Sequence, residues 1–172
     1  GGGAGSRGAP VSVRVTDNGA GRLLGDLKAL SKLTVRVGVL ADGPKRTGAS
    51  KADRKKGERA TLLEVAAAHE FGAPAAGIPQ RSYIRATVDL KRAEIEKTQA
   101  DLAAQVAAGK IDGRTTLARL GAYVQGLIQA RIAEGIGPAL KPETVRRKKS
   151  SKPLIDKGQL RSSITFKVTE AA

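Results

Sequence analysis

The sequence predicts an α+β fold: a small antiparallel sheet packed against two long helices and shorter helices, with extended basic loops and a flexible N-terminal arm. Three observations lead there. Segments near residues 11, 35 and 164 alternate apolar and polar side chains, the period-two pattern of half-buried strands. Between them, apolar residues recur at spacings of three and four, which places them on one face of a helix. Finally, 172 residues hold one modest domain, since a second would leave too little core for either.

The first ten residues, GGGAGSRGAP, hold five glycines and form an arm with too little apolar surface to order itself. Residues 11–172 read as a single domain. Val11, Val13 and Val15 alternate with Ser12, Arg14 and Thr16, and Asp17-Asn18-Gly19 supplies a turn. Leu23, Leu24, Leu27 and Leu30 mark a helix, and Val35, Val37 and Val39 the next strand. Residues 44–60 carry seven basic and two acidic side chains and almost nothing apolar, so they read as an extended basic insertion. From Thr61, the run TLLEVAAAHEFG predicts a short buried helix through Leu62, Leu63, Val65, Ala66 and Ala67, stopped by Gly72. The Pro and Gly residues of APAAGIPQ then impose a loop.

A longer helix is expected to start near Arg81 to Tyr83 and stop at Gly109, with Ile84, Val88, Ile95, Leu102 and Val106 on one face. Asp112 is placed to cap another, whose stripe is Leu117, Leu120, Val124, Leu127, Ile128 and Ile132 and which Gly135 to Pro138 end. Residues 141–161 then concentrate eight basic and two acidic side chains. Ile164, Phe166 and Val168 close on a strand.

The formal charge is +15, from 31 basic and 16 acidic residues, and the two basic segments contribute +5 and +6 of it. Such an excess attracts polyanions. Candidate contacts with DNA or a partner are Lys45, Arg46, Lys51, Arg54, Lys55, Lys56 and Arg59 in the first segment, and Arg146, Arg147, Lys148, Lys149 and Lys152 in the second. Phe71, Tyr83, Tyr123 and Phe166 are the only aromatics, too few for a base-stacking surface, so contact with backbone phosphates is favoured over base readout. Cysteine is absent, which excludes disulfides, thiolate metal sites and a cysteine nucleophile. No stretch approaches the roughly 20 apolar residues of a membrane span, and the Gly-rich start lacks the charged and apolar regions of a signal peptide. A soluble protein with no membrane partner is expected.

Catalytic constellations are sparse. His69 is the single histidine, near a helix end, and reads as a structural or surface residue. Asp89, Glu94, Glu96 and Asp101 spread around a helix among Lys91, Arg92 and Lys97, a pattern of solvated charge, whereas metal ligands must converge. The run GPKRTGASK lacks the spacing of a phosphate-binding loop. Nothing assembles a nucleophile, a base and an oxyanion site. The expectation is a protein that is not an enzyme and uses no cofactor or metal.

Two separated signatures remain. One is HEFG at His69 to Gly72 followed by IPQRSYIR at Ile78 to Arg85; the other is LKPETVRRKKSSKPLIDKGQLRSSITFKV at Leu140 to Val168. In order and spacing, over about residues 61–169, they resemble the phage virion-morphogenesis and tail-completion family, the minor tail protein Z-like group. The matching positions are His69, Glu70, Phe71, Gly72, Ile78, Pro79, Arg81 and Tyr83, then Pro153, Leu154, Ile155, Asp156, Gly158, Leu160, Ser163 and Ile164. Lys157 stands where the family often has threonine, and Gln80 and Ser82 depart from its commoner turn residues.

These positions suit packing. Pro79 fixes the chain where the long helix begins, and Phe71 and Tyr83 are expected to bury large surfaces at that corner. Pro153, Leu154 and Ile155 return a basic arm to the core, Asp156 caps the turn, Gly158 supplies backbone freedom, and Leu160 and Ile164 anchor the last strand. The resemblance implies a structural virion protein of a tailed phage or phage-like particle. Such a subunit completes the tail or neck and joins head to tail in a ring around the DNA channel. The implied partners are identical subunits, adjacent neck and tail proteins (connector or stopper, tail terminator or tube), and genomic double-stranded DNA held without sequence preference. The implied location is the virion, and the host cytoplasm during assembly. A free-standing basic nucleic-acid-binding protein is the alternative that the charge leaves open.

Overall fold

The computed structural model describes residues 19–41, 61–139, 146 and 158–171. Helix α1 (Ala20–Ser31) leads into strand β1 (Leu33–Val39). Helix α2 (Leu62–Phe71) and a 3-10 turn (Pro74–Ala76) precede α3 (Arg85–Leu90), α4 (Arg92–Ala107) and the long α5 (Gly113–Glu134); a short α6 (Gln159–Ser163) runs directly into β2 (Ile164–Glu170). The architecture is α+β.

The strands pair antiparallel from Leu33 opposite Glu170 to Val39 opposite Ile164. This register puts Val35, Val37 and Val39 beside Val168, Phe166 and Ile164, so the alternating residues of both strands share one apolar face. Thr34 and Arg36, opposite Thr169 and Lys167, lie on the other face. Helix α5 packs across the apolar face, and its Ile128 and Ile132 meet Ala66, Tyr83, Ile136, Leu160 and Ile164 in the central core. Gly121 is what lets α5 approach so closely: a Cβ there would lie 2.7 Å from Phe166 Cδ2 and 2.8 Å from Val35 Cγ2.

The helix ends follow local chemistry. Asp112 caps α5, its Oδ1 accepting the Thr115 N–H at 2.8 Å. Thr61 and Glu64 form a reciprocal capping box at the start of α2. Gly158, at φ +68, starts α6, a helical turn that the alternating pattern of β2 does not announce.

Three expectations need correction. The helix projected from Arg81–Tyr83 to Gly109 begins later, at Arg85, and breaks at Lys91, where φ is −105° and ψ 13°. Leu90, next to the break, is exposed. Helix α2 is buried through Leu62, Ala66 and Glu70, which turns Leu63 and Ala67 outward and leaves Val65 half-buried. The leucines of α1 divide: Leu23 and Leu30 are half-buried, whereas Leu24 and Leu27 are exposed. Among the described residues the sheet has two strands. The strand expected at Val11, Val13 and Val15, the arm 1–10 and the basic insertion 44–60 lie outside the described residues.

The Gly121 contact yields a controlled comparison on one helix. Gly121→Ala should lower stability by about 1–3 kcal/mol through overpacking. Gly126→Ala, where a Cβ meets nothing within 4 Å, should raise stability by up to about 1 kcal/mol through helix propensity. Urea denaturation followed by circular dichroism measures both.

Candidate functional site

The first signature closes on itself around one side chain. Glu70 follows Leu62 and Ala66 at successive four-residue steps, so helix geometry carries its carboxylate inward with the apolar face. There it meets the turn that begins α3. Oε2 accepts the N–H groups of Tyr83 at 2.8 Å and Ile84 at 2.9 Å. Oε1 accepts the Ser82 hydroxyl at 2.7 Å, and the Arg85 N–H and Nε at 3.1 Å each. The Ser82 oxygen in turn accepts the Ala86 N–H at 3.2 Å. Helix starts leave backbone donors without partners, and here a carboxylate fifteen residues upstream of Arg85 satisfies them and faces the positive end of the helix dipole.

The surrounding residues brace this arrangement. The His69 carbonyl accepts the Arg81 N–H at 2.7 Å, and the Arg81 guanidinium, itself buried, donates from Nε and Nη2 to the Pro138 carbonyl just beyond α5. The Tyr83 ring is fully buried and its hydroxyl donates to the Ala66 carbonyl at 3.2 Å. Gly72 has φ +80, and a Cβ there would sit 3.1 Å from the Gln80 nitrogen, so the reversal between α2 and the following turn requires glycine. Ala73 and Ile78 pair across that turn, and Pro79 leads out of it.

Phe71 is the exception among the motif residues. It is 63% exposed, where a buried corner was expected. Successive helix residues point about 100° apart, so burying Glu70 turns Phe71 to the surface. The Arg85 guanidinium lies 4.6 Å over its ring, which makes Phe71 a platform for the arginine that grips Glu70.

Burial pushes the Glu70 carboxyl up, but hydrogen bonds from the Ile84 amide, the Ser82 hydroxyl and the Arg85 amide and guanidinium outweigh it and hold the group below the ordinary carboxylate range. Burial, with the Glu70 charge beside it, pushes the Tyr83 hydroxyl up. Glu70 therefore stays ionised and Tyr83 neutral near pH 7. With both oxygens of Glu70 engaged by donors, the chemistry of this cluster is that of an anchor.

Of the second signature, Leu160, Ser163 and Ile164 are buried, Ser163 donating to the Leu160 carbonyl at 2.7 Å. Leu160 and Ile164 enter the same core cluster as Tyr83, so the two signatures meet in space. Pro153, Leu154, Ile155 and Asp156 lie outside the described residues. So do Lys45, Arg46, Lys51, Arg54, Lys55, Lys56, Arg59, Arg147, Lys148, Lys149 and Lys152; Arg146 is described and exposed. The described residues include 16 basic and 10 acidic side chains, a net +6. The other +9 of the total lies elsewhere in the chain.

Asp89, Glu94 and Asp101 sit in exposed ion pairs with Arg92, Lys91 and Lys97. Among the described residues no group of three or more His, Cys, Asp or Glu side chains converges as metal ligands would. Reading the residues alone missed Glu70 as a centre. The available signal was its place on the Leu62–Ala66 stripe, together with a helix start at Ile84 whose own side chain cannot cap.

Glu70→Gln should cost about 2–4 kcal/mol, because a neutral amide cannot satisfy the same buried donors. Most of that loss belongs to the backbone amides, since Arg85 is half-exposed and its ion pair is screened. The folded-state pKa of Glu70 lies below its ordinary 4.5. Its contribution is therefore complete above that value and is lost as pH falls through the folded-state pKa. Urea midpoints measured from pH 7 to pH 3 should fall more steeply for the parent than for Glu70→Gln. No family model, curated protein or solved structure matches this chain, so the family reading rests on the two signatures alone.

Proposed function

We propose that this chain is a non-catalytic structural protein of a tailed-phage or phage-like virion. It completes the tail or neck and joins head to tail as one subunit of a ring around the DNA channel. The observation that supports this reading most is the meeting of the two family-like signatures in one core. Glu70, Tyr83, Leu160 and Ile164 have packing or capping roles, and the first signature is spent on anchoring a turn. A protein whose distinctive residues build its frame is suited to holding a shape among partners.

The charge distribution adds the second strand of the argument. The described frame carries a minority of the +15, and the larger share falls on the remaining residues, which include the first basic segment and all of the second but Arg146 and residues 158–161. Repeated around a ring, modest phosphate contacts add up, because affinity for a DNA backbone grows with the number of charges neutralised. Contacts of this kind hold DNA without reading its sequence and stay weak enough per subunit to let it pass.

Two measurements test the proposal. Electron cryomicroscopy and protein quantification of purified particles should find the chain in fixed stoichiometry at the head–tail junction; absence from particles would end the virion reading. Replacing Lys148 and Lys149 by glutamate should reduce particle yield or packaged DNA severalfold, whereas unchanged yield and DNA content would count against a channel role for that segment. Tight, salt-dependent DNA binding by the isolated chain, with none of it in particles, would instead identify a free-standing nucleic-acid-binding protein.

A further inference from the structure

An apolar groove lies between β1, α3, α4 and α5, bounded by Val35, Val37, Ile84, Val88, Ile95 and Val124. Its volume is about 250 Å³. Each of these six side chains is only half-buried, so the groove opens to solvent. The sole polar side chain in its lining is Gln99. A cavity of roughly 150 Å³ accepts a benzene-sized group, so this groove has room for two leucine side chains.

Elsewhere on the chain, α1 presents such a pair. Leu24 is 59% and Leu27 48% exposed, one helical turn apart, and α1 contains no buried residue. No residue of α1 lines the groove. The charges beside the two features are opposite. Lys28 follows Leu27 and lies one turn beyond Leu24; Glu96 follows Ile95 and lies one turn before Gln99. Both are exposed, and neither side chain has an ion pair or hydrogen bond among the described residues.

We propose that Leu24 and Leu27 of one copy insert into the groove of a second copy, with Lys28 set against Glu96. Knob and groove are formed by different residues; joined head-to-tail rather than reciprocally, they leave each copy with one free knob and one free groove. Repetition of such a contact closes a ring when the rotation between copies permits. The proposal rests on the ring reading above and supplies the contact between its subunits.

The test is native mass spectrometry and sedimentation of the full chain over a wide concentration range. The parent should self-associate. Leu24→Ser with Leu27→Ser should stay monomeric at concentrations at least about tenfold higher, with unchanged circular dichroism. Lys28→Glu and Glu96→Lys, both surface changes that leave packing intact, should each weaken association about tenfold, and their combination in one chain should restore it.

A parent that is monomeric throughout overturns the contact, as does unaltered association of the double serine variant or failure of the charge swap to rescue. Equal monomer mass for parent and serine variant, with a lower melting temperature for the variant, would mean that the leucines are covered within one chain, and also overturns it. Particle content separates the two levels: a chain that fails these tests yet sits stoichiometrically in virions loses this contact and keeps the neck reading.

Discussion

The Glu70 carboxylate sits where the chain reverses between α2 and α3, and its burial there demands donors that residues 82–85 supply together. The demand runs both ways. Without the carboxylate, the amides of Tyr83, Ile84 and Arg85 would lose their acceptor, because Ile84 has none in its side chain and the Ser82 hydroxyl serves the Ala86 amide. Without the turn, a charge inside the fold would have no compensation. Fixing this turn seats Tyr83 against Ala66 and aims Arg81 at the Pro138 carbonyl, which ties the start of α3 to the far end of α5. Because α5 also covers the sheet, with Gly121 admitting Phe166 and Val35 at close range, the geometry of the frame depends on this corner.

Much of the frame was legible in the sequence, for reasons that particular residues make clear. The alternation of Val35, Val37 and Val39, and of Ile164, Phe166 and Val168, marks both strands because one face of each must meet α5. Asp112 and Gly135 bracket α5 because capping chemistry is local. The break at Lys91 was not legible, since a seven-residue step between apolar positions fits a continuous helix and a broken one equally well. Nor was the exposure of Phe71. Composition favours burying an aromatic ring, and only the inward turn of its neighbour Glu70 decides otherwise. Glu70 is marked in the sequence only as a motif position; its place on the Leu62–Ala66 stripe is what points its carboxylate inward.

Charge is divided unevenly along the chain. The described frame is built from short-range caps, one buried carboxylate and an aliphatic core, all of which resist deformation. The larger part of the positive charge lies outside that frame. The positions of the two signatures that the structure describes act as architectural supports: Glu70 and Tyr83 set the corner, and Leu160 and Ile164 seat the final strand in the same core.

The central claim is that the first signature is an anchor, and the ionisation of Glu70 reports on it directly. A pH titration of its side-chain carboxyl carbon by nuclear magnetic resonance should place the pKa below the ordinary 4.5, because donors on both oxygens favour the charged form. A value at or above 4.5 would contradict the account. It would describe a carboxylate free of its donors, or a proton-exchanging group at a site assigned here to structure alone.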